Sequence, residues 1–112
     1  DFCLSRGLGD VYKRQAQEMG QPVIREFYAD REYDLSGSIV FTRNVRGYEP
    51  QAVAERVLRA CRQGVVRTVE GQDLAIEFDS ICLHSDTPGA LDLVEATRKA
   101  LDAAGIVVRA PR

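Results

Sequence analysis

Residues 80–91 restrict the fold more than any other stretch of this chain. Ser80-Ile81-Cys82-Leu83 is a short apolar run, and six residues, His84-Ser85-Asp86-Thr87-Pro88-Gly89, separate it from a helical pattern. Because Ile81, Cys82 and Leu83 are adjacent, no polar face is left, which predicts a strand buried on both sides, as in a parallel sheet covered by helices. Thr87 suits the N-cap and Pro88 the first helical position. Ala90, Val94, Thr97, Leu101 and Ala104 then trace an inner helix face that stops at Gly105. Ile106 to Val108 reads as a final strand or a docking tail.

Upstream, the same strand and helix alternation recurs. Ala16 to Gly20 resembles the last turn of a helix, and Val23 to Tyr28 reads as a strand interrupted by Arg25 and Glu26. Asp34, Ser36 and Gly37 signal a turn before an extended stretch, Ser38 to Phe41, and a loop, Thr42 to Tyr48. Pro50 opens a helix whose stripe is Val53, Val57 and Cys61 with Ala54 and Leu58 alongside, ended by Gly64; Glu55 and Arg59 sit four apart on its outer face. Val65 to Val69 and Leu74 to Phe78 flank Glu70-Gly71-Gln72-Asp73, and Leu74, Ile76 and Phe78 alternate with Ala75 and Glu77, which predicts a hairpin with one buried face.

Composition removes several classes of function. With 112 residues the chain is one small domain or part of a larger one. No apolar run approaches the ~18 residues of a spanning helix, so no membrane partner is expected. Net charge is -2 and the pI about 5.4, which argues against a nucleic-acid partner. One histidine, His84, cannot supply a zinc site built on two or three imidazoles. Three cysteines without CxxC spacing argue for a reducing compartment, and the cytoplasm is the expectation. Residues 1–15 end in GLGDVYKRQ, which resembles a translated sequencing-adapter artefact, so they are read as a non-native tail outside the fold.

Chemistry is expected where strands end. Ligands of helix-flanked parallel sheets bind at carboxyl ends of strands, and helix N-termini offer free N–H donors. His84 and Asp86, at i and i+2, fall on one side of an extended chain, where the carboxylate orients the imidazole or both face a substrate. The alternative is a structural one, with Asp86 or Thr87 capping the helix and His84 packed. Asp30 and Arg31 end the other strand, with Tyr33 and Arg43 beyond; they hold a carboxylate-bearing substrate or form a surface ion pair. Cys82 reads as a packed core thiol, and Ser85 lacks the elbow motif of a nucleophile. Neither GxxxxGK[ST] nor GxGxxG is present, so spacing marks no nucleotide cradle.

Together, Arg25 to Arg43 (REFYADREYDLSGSIVFTR), Arg62 to Gly71 (RQGVVRTVEG) and Asp79 to Leu91 (DSICLHSDTPGAL) resemble the C-terminal part of the LamB/YcsF family, whose characterised activity is that of the A subunit of 5-oxoprolinase. The family pattern C-x-H-G-D-x-P-G-A is met by Cys82, His84, Asp86, Pro88, Gly89 and Ala90, with Ser85 where glycine is usual. Ala29-Asp30-Arg31 matches its Ala-Asp-Arg, and Arg43 stands at the arginine after Gly-x-Leu-Val-Pro, here with Phe41-Thr42. The resemblance implies that residues 16–112 are the C-terminal segment of a seven-stranded β/α barrel of the glycoside hydrolase/deacetylase type, with a β-hairpin insertion. It implies ATP-dependent hydrolysis of 5-oxo-L-proline to L-glutamate with companion subunits and ATP as co-substrate. On that reading His84, Asp86 and Asp30 are catalytic, in proton transfer, and Arg31 and Arg43 bind substrate. Two rivals stand beside it: from pattern, a ferredoxin-like α+β binding module with helices on one face of an antiparallel sheet; from fold analogy, a metal-dependent carbohydrate deacetylase.

Overall fold

A computed structural model of the chain describes residues 14–15, 18–20, 23–40 and 47–110. Its strands are β1 (Glu26–Tyr28), β2 (Glu32–Tyr33), β3 (Ile39–Val40), β4 (Val65–Arg67), β5 (Asp73–Ala75) and β6 (Ser80–Cys82), and its long helices are α1 (Pro50–Gln63) and α2 (Ala90–Ala103). Arg43 and most of the Thr42 to Tyr48 loop lie outside the described residues, as does part of the expected Ala16 to Gly20 turn.

The expected parallel pairing forms between β1 and β6, with Glu26 opposite Ser80, Phe27 opposite Ile81 and Tyr28 opposite Cys82. Arg25, which breaks the apolar run in sequence, pins this register: its backbone N–H and guanidinium donate to Asp79 at 2.9–3.1 Å, and Nη1 reaches Glu77 at 2.9 Å. Full burial of β6 on both faces is not observed. Ser80, Ile81 and Cys82 are half-buried, because β1 is the only strand paired with β6 among the described residues.

The described residues also form two antiparallel hairpins. The β2–β3 hairpin closes on an Asx turn in which Asp34 Oδ1 accepts from the Ser36 and Ser38 N–H groups. Sequence patterning did not predict β2. The β4–β5 hairpin stands where alternation placed it, with Val66 opposite Leu74 and both buried, although each strand is shorter than expected. Val69 N–H donates to the Tyr33 carbonyl at 2.9 Å and so joins the two hairpins. These separate two-stranded pieces, one of them parallel, do not make the single antiparallel sheet of the ferredoxin-like alternative.

Helix α1 begins as expected at Pro50, capped by Glu49, whose carboxylate accepts from Gln51 and Ala52 N–H. It ends at Gly64 in the left-handed region (φ 68°). Val53, Ala54, Val57 and Ala60 are its buried face. The expected Glu55–Arg59 pair is replaced: Arg59 forks onto Asp73 of β5, because a bidentate carboxylate across the hairpin outcompetes a single contact along the helix.

In α2 the sequence reading is displaced at the start. Thr87 is not its cap; the helix begins at Ala90 behind Gly89 (φ 74°) with no side-chain cap, since the Thr87 hydroxyl is engaged elsewhere. Its buried face is Leu93, Thr97 and Leu101, and Val94, assigned inward, is 46% exposed. Ile106 continues into no strand. Its N–H donates to Leu101 O behind Gly105, the Schellman closure, and its side chain rests on the core. Helices α1 and α2 pack on each other, and the core runs from that contact through Phe27, Tyr33, Val66 and Leu74. None of the described helices is long and apolar enough to cross a membrane.

Candidate functional site

The carboxyl ends of β1 and β6 lie side by side, and the turns that leave them face each other. Ala29 N–H extends the pairing by donating to Cys82 O at 3.1 Å, and Asp30 and His84 each sit two residues past the last register pair, Tyr28 and Cys82. The Asp30 side chain has no solvent exposure. An ionised carboxylate so placed must find donors, and it does: Oδ2 accepts from His84 N–H at 2.7 Å and from the Thr87 hydroxyl at 2.6 Å, and Oδ1 lies 2.7 Å from His84 Nδ1. Burial alone would push the Asp30 pKa up. The bonds from Thr87, the His84 backbone and the His84 ring outweigh it and hold the group below the usual carboxylate value.

An ionised carboxylate only accepts, so the 2.7 Å contact calls for the hydrogen on Nδ1, which in a neutral ring leaves Nε2 as the basic nitrogen. Tyr28 packs against the imidazole in an edge contact, ring centres 4.7 Å apart, and Nε2 lies 3.8 Å from Cys82 Sγ. The ring is partly open, with 27% of its side-chain surface exposed.

Arg31 forms the rim. Its Nη1 donates to the Thr87 hydroxyl at 2.8 Å and to the Asp30 backbone carbonyl at 3.0 Å, while Nη2 reaches Asp86 at 3.3 Å. Asp86 is 71% exposed, so this outer contact is weak and open to exchange. The orientation of His84 by Asp86, one of the sequence expectations, is therefore corrected: a carboxylate from the opposite strand performs it, and Asp86 turns outward to Arg31. Four of the five expected site residues, Asp30, Arg31, His84 and Asp86, meet here; Arg43 lies outside the described residues. Ser85 is exposed.

Arg56 of α1 supports the site from below, unforeseen in the sequence. Its Nη1 donates to Ala29 O at 2.7 Å, and its guanidinium lies over the rings of Phe27 (5.4 Å) and Tyr33 (5.8 Å). Burial lowers its pKa, partly offset by Glu32, Tyr48, Tyr33 and Asp30. On a helical wheel it flanks the Val53–Val57 face, the one signal that could have marked it. Among the described residues no group of three or more His, Cys, Asp or Glu side chains is placed to hold a metal ion.

The profile of the LamB/YcsF family matches residues 3–112, a range that takes in most of the segment read as a tail. A 5-oxoprolinase A subunit of Pseudomonas putida is 95% identical over 111 residues, covering 99% of this chain and 43% of that protein. The 5-oxoprolinase A subunit of Mycobacterium avium is 39% identical over 104 residues, covering 91% of this chain and 41% of its own length. A crystal structure of a lactam utilization protein from Thermus thermophilus superposes with a TM-score of 0.79 at 32% identity, covering 89% of this chain and 40% of that one. The chain thus spans less than half the length of the relatives it matches.

Proposed function

Because the chain belongs to the LamB/YcsF family, we propose that it is the C-terminal segment of the A subunit of a 5-oxoprolinase, which hydrolyses 5-oxo-L-proline to L-glutamate in the cytoplasm with ATP as co-substrate and companion subunits. The observation that carries this reading is the buried Asp30 fixing His84 at the paired ends of two parallel strands. Such ends are where open and closed α/β sheets hold their ligands. Common β/α barrels need ~250 residues, so the remaining strands of the enclosure belong to the rest of the subunit.

Lactam hydrolysis needs a group that moves protons and one that holds the substrate. Nε2 of His84 takes a proton from the attacking nucleophile and returns it to the leaving ring nitrogen, while Asp30, out of contact with solvent, orients the ring and stabilises the imidazolium. Arg31 receives the substrate carboxylate on Nη2 in place of Asp86, whose exposed 3.3 Å contact is cheaply displaced. Asp86, released, is free to take part in proton transfer at the lactam ring nitrogen. When bound, ATP would activate the lactam oxygen by phosphorylation and so couple its own hydrolysis to the ring opening.

The test is turnover by the full-length protein in complex with its companion subunits. ATP hydrolysis dependent on 5-oxoproline is expected, and His84→Ala lowers it by about 10²–10⁴-fold, the range for loss of a general base. An assembled enzyme that ignores 5-oxoproline, or a His84→Ala variant with full turnover, contradicts the proposal.

A further inference from the structure

Cys82 ends β6 and His84 follows two residues on, where an extended chain puts both side chains on one side. Its Sγ lies 3.8 Å from Nε2, within hydrogen-bonding distance for sulfur, and Nδ1 of the same ring is held at 2.7 Å by buried Asp30. Thiol, imidazole and carboxylate therefore stand in the order nucleophile, base, orienter that covalent hydrolases assemble on unrelated folds. With the ring hydrogen on Nδ1 toward Asp30, the ring nitrogen left to act as base, Nε2, is the one beside the thiol. Cys82 and His84 are both half-buried, and Cys82 borders the core rather than lying wholly within it. The charged and titratable groups around the ring are Asp30 from the turn after β1, Tyr28 on its edge, Cys82 beside it, and, one layer out, Arg31 and Asp86.

We propose that Cys82 is the covalent nucleophile of the site, activated by His84. The inference rests on the 5-oxoproline reading above and extends it. His84 Nε2 takes the Sγ proton, and the sulfur electron pair forms a bond to the lactam carbonyl carbon. The carbon–nitrogen bond then breaks, and the ring nitrogen leaves with the proton from Nε2, giving a γ-thioester of glutamate on Cys82. Water, deprotonated by Nε2, attacks the thioester carbon; the carbon–sulfur bond breaks, and the thiolate recovers the proton. Apart from the ATP turned over with it, the sum is 5-oxoproline plus water to glutamate, with no change in oxidation state.

The test uses the full-length subunit with its companions and reads three quantities. Cys82→Ser and Cys82→Ala are expected to lower kcat by at least about 100-fold. Wild-type enzyme quenched in acid during turnover is expected to carry one 5-oxoproline equivalent on the peptide containing Cys82, by mass spectrometry. At pH 7, iodoacetamide is expected to alkylate Cys82 at least about tenfold faster than Cys61, the gap between a thiol with a base beside it and one without; His84→Gln lowers the Cys82 rate about tenfold. Cys61 is a fitting control, since burial pushes its thiol up. Near-wild-type turnover in Cys82→Ser, or equal alkylation of the two cysteines, overturns the nucleophile and leaves the acid–base reading standing. If wild type does not turn over 5-oxoproline, the substrate reading fails, and the alkylation ratio still decides whether His84 activates Cys82, even where the Cys82 variants do not fold.

Discussion

Asp30→Asn is the substitution that separates holding the imidazole from giving it the right hydrogen. The amide has the shape of the carboxylate but one acceptor atom instead of two. His84 N–H and the Thr87 hydroxyl both converge on Oδ2, at 2.7 and 2.6 Å, so the amide oxygen takes that position and its NH₂ faces His84 Nδ1. Nδ1 must then accept, the hydrogen moves to Nε2, and the base is lost with the geometry intact. Turnover of the assembled enzyme should fall about 10²–10⁴-fold, with little change in KM. Stability is affected much less. Three bonds to a charged acceptor become bonds to or from a neutral one, a loss of about 1 kcal/mol each, and relief of a buried charge offsets part of it. The expected net destabilisation is about 1–3 kcal/mol, read from urea denaturation of the full-length subunit. ¹⁵N shifts of the His84 ring report the tautomer directly. An Asp30→Asn enzyme that keeps wild-type turnover, or whose Nδ1 stays protonated, refutes the reasoning.

The same carboxylate sets the acid limb of stability. Its folded pKa lies below the unfolded value of about 3.9, so its contribution is complete above that value and is lost as pH falls through the folded pKa. Urea midpoints measured from pH 7 to pH 3 should decline below about pH 4 in wild type and less steeply in Asp30→Asn; parallel curves would contradict the assignment. Gly64→Ala tests the end of α1. A Cβ there meets only Ile76 O, at 3.6 Å, so crowding is minor and the cost is that of a left-handed alanine at φ 68°, about 1–2 kcal/mol. A neutral substitution by urea denaturation would show that the turn relaxes.

Local signals in the sequence were enough for elements whose geometry is decided within a few residues. Pro50 and Gly64 bound α1, Gly105 ends α2, and the alternation around Glu70-Gly71 yields the β4–β5 hairpin, because caps, left-handed glycines and period-two burial act over one or two turns of chain. The run Ile81-Cys82-Leu83 marked a parallel strand, and the motifs at Ala29-Asp30-Arg31 and Cys82 to Ala90 marked both halves of the site. Who pairs with whom across the site was not local. Asp30 and His84 are 54 positions apart, and only the β1–β6 register brings them to 2.7 Å. Once there, a buried carboxylate demands every donor in reach. It draws Thr87 away from the helix cap, leaves Asp86 to Arg31, and sets Nε2 of His84 3.8 Å from Cys82, a thiol that also packs against the core as its apolar neighbours in sequence suggested. Propensity fixes such elements one at a time, whereas the cost of an unpaired buried charge is satisfied only by the tertiary structure as a whole.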